Sequence, residues 1–385
     1  MKKILVVTTK PPFPLFSGDR LRIYNISKHL SKKNKVDLIY TGSKEKFKKK
    51  INFINKLIFI RTNIIKRIFY TLFFLLKGKP LQVGFFFSQE MKKKIYSIYE
   101  NYDCIIFHLV RASEFLPKNY KGTTVLEMTD LISENYLQLF KKFSFLNPLR
   151  YLYFIERILL KNYEKKVVNY FNHIVLVSKT DKKKFSAKNK LKNRIKIISN
   201  GTDLKKKSYK FNKKNKDIIF IGNINYEPNK IACYEFIEKI MPKLEKLGLN
   251  VNFKIIGQMS SILKSRLANY NNVDVFNNVK SIESLCKNAF CGISNLSVVT
   301  GIQNKILEYM RIGLPPIISQ KCSESINAKK NHDICVYRNH DEFIKKILKL
   351  KNDKKFAKKI SDNSYKKINS YYNWDKSLKE YNKII

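Results

Sequence analysis

The sequence predicts an α/β protein built from two tandem doubly wound parallel-sheet domains, and three observations predict it. Short apolar runs alternate with helical stretches along the chain. A polar, basic tract at 204–216 interrupts the alternation once, after which it restarts. And 385 residues exceed what one hydrophobic core ordinarily serves.

The first strand is KILVVTT (3–9), a β-branched apolar run too short, and too poor in small residues at its end, for a signal peptide. Residues 18–32 carry Leu21, Tyr24 and Leu30 at helical spacing, and KVDLIY (35–40) is the second strand, which completes a βαβ opening. Further strands are expected near 56–61, 103–107, 123–128, 173–177 and 194–199. Most are continuous apolar runs, as strands covered on both faces require. The tract LKKKSYKFNKKNK (204–216) has little apolar periodicity and marks a domain boundary. Beyond it the expected elements are strand 217–222, helix 229–246, strand 252–257, helix 260–268, strand 273–276, helix 281–288, strand 290–294, helix 303–312 and strand 315–319. The domains are therefore 1–203 and 204–365, followed by a closing helical segment, 366–385.

Composition narrows the function classes. The net charge of +47, from 77 Lys and Arg against 30 Asp and Glu, invites nucleic acid or an anionic membrane surface as partner. The joint abundance of Lys, Asn, Ile, Tyr and Phe is also what an AT-rich coding bias produces, and no zinc-finger spacing or RNA-binding aromatic motif accompanies the charge, so nucleic acid is not the expected partner. Six scattered cysteines without a C-x-x-C pair, and five histidines, suggest free buried thiols in a cytoplasmic protein and no metal site. The run IFYTLFFLL (68–76) falls short of the roughly twenty residues that span a bilayer. Its surroundings, RTNIIKRIFYTLFFLLK (61–77), fit either a helix lying in a bilayer interface or an ordinary buried helix.

In open α/β sheets ligands collect beyond the carboxyl ends of the strands, and four such places carry chemistry. Ser17-Gly18-Asp19-Arg20, with Arg22, joins a glycine at a helix start to two arginines, either as a phosphate or acceptor loop or as a plain cap. His108 and Arg111 follow the strand at 103–107. Glu127 and Asp130 follow the strand at 123–128, where Asp130 is alternatively the cap of the next helix. The fourth place is TGIQNKILEYMRIGLPPIIS (300–319). Thr300, Gly301, Ile302, Gln303 and Asn304 lie at a helix N-terminus suited to a diphosphate, Lys305 adds a cation, and Glu308 lies far enough in for its carboxylate to accept hydrogen bonds from a ribose. No G-x-G-x-x-G follows either domain's first strand, which disfavours a dinucleotide cofactor.

These segments resemble the bacterial glycosyltransferases of family 4. The resemblance rests on KPPFPLFSGDRLRIYN near the start, HLVRASEF (108–115), NYEKKVVNYFNHIVLVSKTD (162–181), ISNGTDL (198–204), FIGNINYEPNKIA (220–232) and GIQNKILEYMRIGLPPI (301–317), the last two being the most specific. It implies the GT-B fold of two Rossmann-like domains facing a cleft. It also implies a UDP- or GDP-linked sugar donor in the second domain, a glycan or lipid-linked glycan acceptor in the first, and transfer that retains anomeric configuration without a metal or other cofactor.

Carried over, Glu308 holds the donor ribose, the 301–304 turn holds phosphate and sugar, and Gly222, Asn223 and Lys230 complete the donor site. Thr300 stands where many members have a first glutamate, and Asn223 stands where many have an arginine. Thr129 stands where a histidine is often found, leaving Asp130, with His108, as the catalytic candidates. The family's closing helix crosses back to the first domain, and Trp374 is the candidate anchor for that return. The expected function is surface-polysaccharide synthesis by a protein of the cytoplasm or the inner membrane face. The alternative is a non-catalytic partner subunit of the same fold that binds nucleotide or glycan.

Overall fold

The computed structural model describes residues 1–15, 17–42, 51–185, 193–203, 206–277, 279 and 281–385. They form two compact units, Met1–Ser199 together with Leu378–Ile385, and Asn200–Ser377.

The first unit holds strands β1 (Lys3–Thr8), β2 (Lys35–Gly42), β3 (Lys56–Arg61), β4 (Cys104–His108), β5 (Thr123–Thr129), β6 (His173–Leu176) and β7 (Ile195–Ile197). All pair in parallel, in the order β3-β2-β1-β4-β5-β6-β7. Its helices are α1 (Gly18–Leu30), α2 (Ile64–Leu76), α3 (Leu81–Phe85), α4 (Gln89–Tyr96), α5 (Ile132–Lys142), α6 (Pro148–Val167) and α7 (Lys179–Lys184). The central strands are buried almost end to end because crossover helices cover both faces, which is why they read as unbroken apolar runs.

The second unit repeats the plan with β8 (Asp217–Ile221), β9 (Asn252–Ile256), β10 (Val273–Phe276), β11 (Ala289–Ser294), β12 (Pro316–Ser319) and β13 (Cys335–Tyr337), ordered β10-β9-β8-β11-β12-β13. Its helices are α8 (Glu227–Glu235), α9 (Met241–Lys246), α10 (Ser261–Ala268), α11 (Ile282–Leu285), α12 (Asn304–Ile312), α13 (Gln320–Ser323), α14 (His340–Asn352), α15 (Lys354–Tyr371) and α16 (Trp374–Ser377). Both units are thus doubly wound parallel sheets. The order in which successive strands are added reverses between β1 and β4 in one and between β8 and β11 in the other, and these are the two places where such sheets bind ligands.

Several sequence expectations are corrected. The edge strand β13 is not among the expected strands, since three residues carry no periodicity. The expected helix 229–246 is α8, a π-helical turn (Phe236–Ile240) and α9; Pro242, with no N–H to give, sits at the start of α9. Of the basic tract, Leu204 and Lys205 lie outside the described residues. The rest belongs to the second unit, with the boundary just before it: Ser208 and Tyr209 donate their N–H groups to the Ile312 carbonyl (3.2 and 2.9 Å), and Lys207 pairs with Asp362. Trp374, the expected anchor, falls in the second unit, where a Cβ on Gly201 would meet its backbone nitrogen at 2.6 Å. The residues that join the first unit's core are Leu378, Tyr381 and Ile384, all buried. The helix α2 is not buried: Phe74 is its single buried residue. Among the described residues no helix is long and apolar enough to cross a membrane.

Candidate functional site

In the second unit the switch point is built around glycines. Gly222 follows β8 and donates its N–H to the Ile256 carbonyl (2.9 Å), and a Cβ there would meet the Asn229 amide at 2.9 Å. Opposite it, Gly257 has φ +148°, and a side chain on it would run into the Gly222 carbonyl, so the two loops approach more closely than Cβ atoms allow. Asn223 folds its side chain back to accept from the Asn225 N–H (3.1 Å), and its carbonyl accepts from the Asn229 side chain (2.8 Å).

Asn229 connects this loop to α12. Its Oδ1 accepts a hydrogen bond from Lys305 Nζ (2.6 Å), and that ammonium lies 3.8 Å from the centre of the Phe220 ring. Lys305 is buried, and burial brings its pKa down to about 7. Gly222, Asn223 and Lys305 are therefore brought together. Lys230 is not part of that network: its ammonium pairs with Glu227 within α8 (2.5 Å) and stays partly exposed. Gly301 takes φ +62° in the turn before α12, a conformation glycine adopts without strain, and no side chain caps the helix at Gln303. Gln303 instead donates to the Thr300 carbonyl (3.0 Å), and Asn304 accepts from Asn200 (2.8 Å).

One turn into α12, Glu308 Oε2 accepts from Arg311 Nε and Nη2 (2.9 and 2.7 Å) and Oε1 accepts from the Thr202 hydroxyl (3.2 Å); its side chain stays 22% exposed. Arg311 is held in turn by Glu283 (2.9 Å). The next residue, Tyr309, is fully buried. Its hydroxyl donates to the Ile293 carbonyl (3.1 Å) and accepts from the Ile221 N–H (2.9 Å), so it bridges β8 and β11 where they diverge. Gly292 makes room for the ring, since a Cβ there would sit 2.5 Å from it. Sequence reasoning missed Asn229, Arg311 and Tyr309. Only the three-residue spacing of Glu308 and Arg311 is a readable signal.

In the first unit, Leu109 directly after β4 and Thr129 at the end of β5 are non-glycine residues with positive φ, each +68°. Such a conformation costs about 1 to 2 kcal/mol and turns the chain sharply at the carboxyl ends of these central strands. His108, just before Leu109, is buried; its Nδ1 lies 3.4 Å from the Thr8 hydroxyl, and Nε2 has no hydrogen-bond partner among the described residues. Burial depresses its pKa to about 3, so the ring is neutral at pH 7.

Arg111 donates from Nε to the Thr9 hydroxyl (2.8 Å) and lies 4.0 Å over the Phe86 ring, with burial lowering its pKa to about 10. Asp19 pairs with Lys10 (3.3 Å). Burial works against its charge, but Lys10, Ser17, His108 and Arg111 together hold its pKa well below the usual carboxylate range. Ser17 and Gly18 open α1, and Gly18 is exposed. Arg20 donates to the Phe13 carbonyl (2.8 Å). Asp130, half-buried after Thr129, lies close enough to Arg111 to stabilise its charge.

Arg22 is the correction in this group. Its guanidinium is fully buried and committed to Glu127 (2.8 and 3.1 Å) and to the Ile198 carbonyl (2.9 Å), so it braces the sheet and does not line a phosphate loop. Its position at i+2 from Arg20 turns it to another side of α1.

Residues 215–353 match the family model described as Glycosyl transferases group 1. The whole chain superposes on sucrose-phosphate synthase from Thermosynechococcus elongatus (TM-score 0.71, 11% identity, covering 100% of this chain and 98% of that one). It also superposes on Anabaena HepE, solved with UDP and glucose (0.69, 14%, 100% and 99%). A third match is a variant of TarM from S. aureus, solved with fondaparinux, α-GlcNAc-glycerol and UDP (0.70, 12%, 100% and 99%). The chain has the GT-B fold. Its matched family segment spans the Gly222 loop, Lys305 and Glu308, so the GT-B switch point of the second unit and the family match fall on the same residues. No curated protein matches the chain.

Proposed function

We propose that the protein is a retaining, metal-independent glycosyltransferase that moves a sugar from a UDP- or GDP-linked donor to a lipid-linked or surface-polysaccharide acceptor at the cytoplasmic face of the membrane. The observation that carries the reading is the tie from Asn229 to Lys305, which draws the loop after β8 and the start of α12 into one network inside the segment matched by the glycosyl transferase model.

In this reading the donor diphosphate rests on the uncapped start of α12, with Lys305 beneath it and Lys230 at its edge. Partial positive charge from the helix and a lysine supplies what a divalent ion would otherwise give. Glu308, oriented by Arg311 and Thr202, retains lone pairs for the ribose hydroxyls. In transfer, the bond from the anomeric carbon to the diphosphate oxygen breaks and a bond to the acceptor oxygen forms. The leaving diphosphate takes the electron pair, and Asp130 is assigned to receive the acceptor's proton. Neutral His108 offers a hydrogen bond to the acceptor, and Lys10, Arg20 and Arg111 suit an acceptor carrying phosphate.

The test is a panel of nucleotides and nucleotide sugars, read first as thermal stabilisation and then as transfer. A ligand at about 100 times its Kd adds about 2.7 kcal/mol. UDP, GDP or a sugar derivative is expected to stabilise, and the product's anomeric configuration, read by NMR, is expected to match the donor's. Stabilisation by NAD(H) alone would overturn the reading, and activity abolished by chelation would overturn metal independence. A second reading, a non-catalytic subunit that binds nucleotide, is favoured by Thr300 and Asn223, neutral side chains where the family resemblance leads one to expect a glutamate and an arginine; Thr300 is buried and Asn223 is folded onto Asn225. Binding without turnover selects it.

A further inference from the structure

We propose that the first unit docks onto an anionic lipid surface through the outer faces of α2 and of the α5–α6 hairpin. Apolar side chains enter the interface, and flanking lysines and arginines meet the headgroups. The proposal stands independently of the transfer reaction.

The face turned to solvent by α2 is apolar. Ile65, Ile68, Phe69, Leu72 and Leu76 recur at helical spacing and are 52–89% exposed, while Arg67, Tyr70 and Phe74 face the protein. A second apolar surface lies on the hairpin, with Phe145 and Leu146 at its tip and Leu149, Leu152 and Ile155 along α6, all 43–78% exposed. The two are joined through α3. A Cβ on Gly84 of α3 would strike the Tyr70 carbonyl of α2, and the Leu81 and Gln82 N–H groups of α3 donate to Glu156 of α6 (2.7 and 3.1 Å). Exposed apolar area on this scale, on neighbouring elements, marks an interaction surface.

Charge selects the occupant. α2 has no acidic residue, and the only two acids of α6 point inward, Glu156 onto α3 and Glu164 onto Ser133. Glu90, near α2, is taken by Lys66. Arg61, Lys77, Lys141, Lys142 and Lys161 are exposed around the apolar area. A second copy of this chain would bring two such cationic rims together, each on a chain of net charge +47, whereas anionic headgroups neutralise them. No described helix is long and apolar enough to cross a membrane, so the surface lies on a bilayer rather than through it.

The test uses the full chain with vesicles of phosphatidylcholine, with and without phosphatidylglycerol, in a flotation assay. Binding is expected only with phosphatidylglycerol. The triple variants Ile65→Ser/Phe69→Ser/Leu72→Ser and Leu146→Ser/Leu152→Ser/Ile155→Ser are expected to lower partitioning at least about tenfold each. Because the substituted side chains are exposed, melting temperature should hold. The indole introduced by Phe69→Trp is expected to be quenched by brominated lipid when bound, with Trp374 buried in the other unit as the constant background. Binding that both triple variants retain, bound protein whose introduced indole escapes quenching, or a lipid-free dimer that the variants dissolve while vesicles recruit nothing would each overturn the proposal.

Discussion

Arg22 on α1 and Glu127 on β5 form a two-pronged ion pair, 2.8 and 3.1 Å, with neither side chain exposed to solvent. The Tyr381 hydroxyl, arriving from the far end of the chain, donates to the same carboxylate. Burial pushes the Glu127 pKa up while Arg22 pulls against it, so the carboxylate depends on its donors to stay charged.

Arg22→Met is therefore expected to destabilise the first unit by about 3 to 5 kcal/mol, because it strands a buried carboxylate. Arg22→Met combined with Glu127→Leu should recover most of the loss, and deleting residues 378–385 should reproduce part of it. Urea denaturation measures all three. An Arg22→Met protein of unchanged stability with weakened acceptor binding would restore Arg22 to the ligand loop.

Glu308→Gln keeps shape and removes charge. A ribose held by the carboxylate predicts a loss of about ten- to a hundred-fold in nucleotide affinity, equivalent to about 1.5 to 3 kcal/mol. Arg311→Met should weaken binding less, since it frees the Glu308 side chain without removing its acceptors. Thr300→Ala should cost at most about 1.5 kcal/mol, the worth of one neutral hydroxyl. Calorimetric titration with the best nucleotide decides, and an unaltered Kd in Glu308→Gln removes that residue from the site.

Lys305 titrates near 7 in the folded chain against an ordinary lysine value of 10.5. Between these values the unfolded chain binds the extra proton, so stability rises with pH from about 7 to about 10.5, by an amount on the order of a few kcal/mol. Lys305→Met should flatten that rise in a pH series of denaturation curves. A diphosphate seated on Lys305 raises its pKa again, so nucleotide binding at pH 8 should take up close to one proton. Titration in buffers of different ionisation enthalpy reads that uptake, and its absence would place the diphosphate elsewhere.

Gly257→Ala is expected to disrupt the loop pair at the second switch point, since its Cβ would collide with the Gly222 carbonyl at a φ that side chains rarely adopt. Nucleotide affinity should fall with stability. Gly248→Ala is the control, because it has positive φ (+73°) but open space around it, and it should cost only about 1 kcal/mol. Equal behaviour of the two variants would remove the close approach as the reason for the glycine.

What the sequence determined by itself is what local composition encodes. Buried parallel strands need continuous apolar runs, so twelve strands from KILVVTT to PPIIS were readable, and with them the double winding that makes strand ends the places to search. The candidates at 17–22, 108–111, 127–130 and 300–308 followed from that position alone, and those at 222–223 from the family resemblance. Tertiary structure decided which of these side chains face which partner, because a residue type does not record the direction of its side chain. Arg20 and Arg22 are two letters apart, yet one reaches a loop carbonyl and the other a buried carboxylate 105 residues away. Lys305 looks in sequence like a helix-start cation, and its burial against Phe220 and Asn229 is what brings its pKa to about 7. The apolar run at 68–76 is equally compatible with a core helix and a surface one, since hydrophobicity states a preference for leaving water and not where the next apolar surface lies. The packing of α2, with Phe74 inward and Phe69 and Leu72 outward, settles that choice.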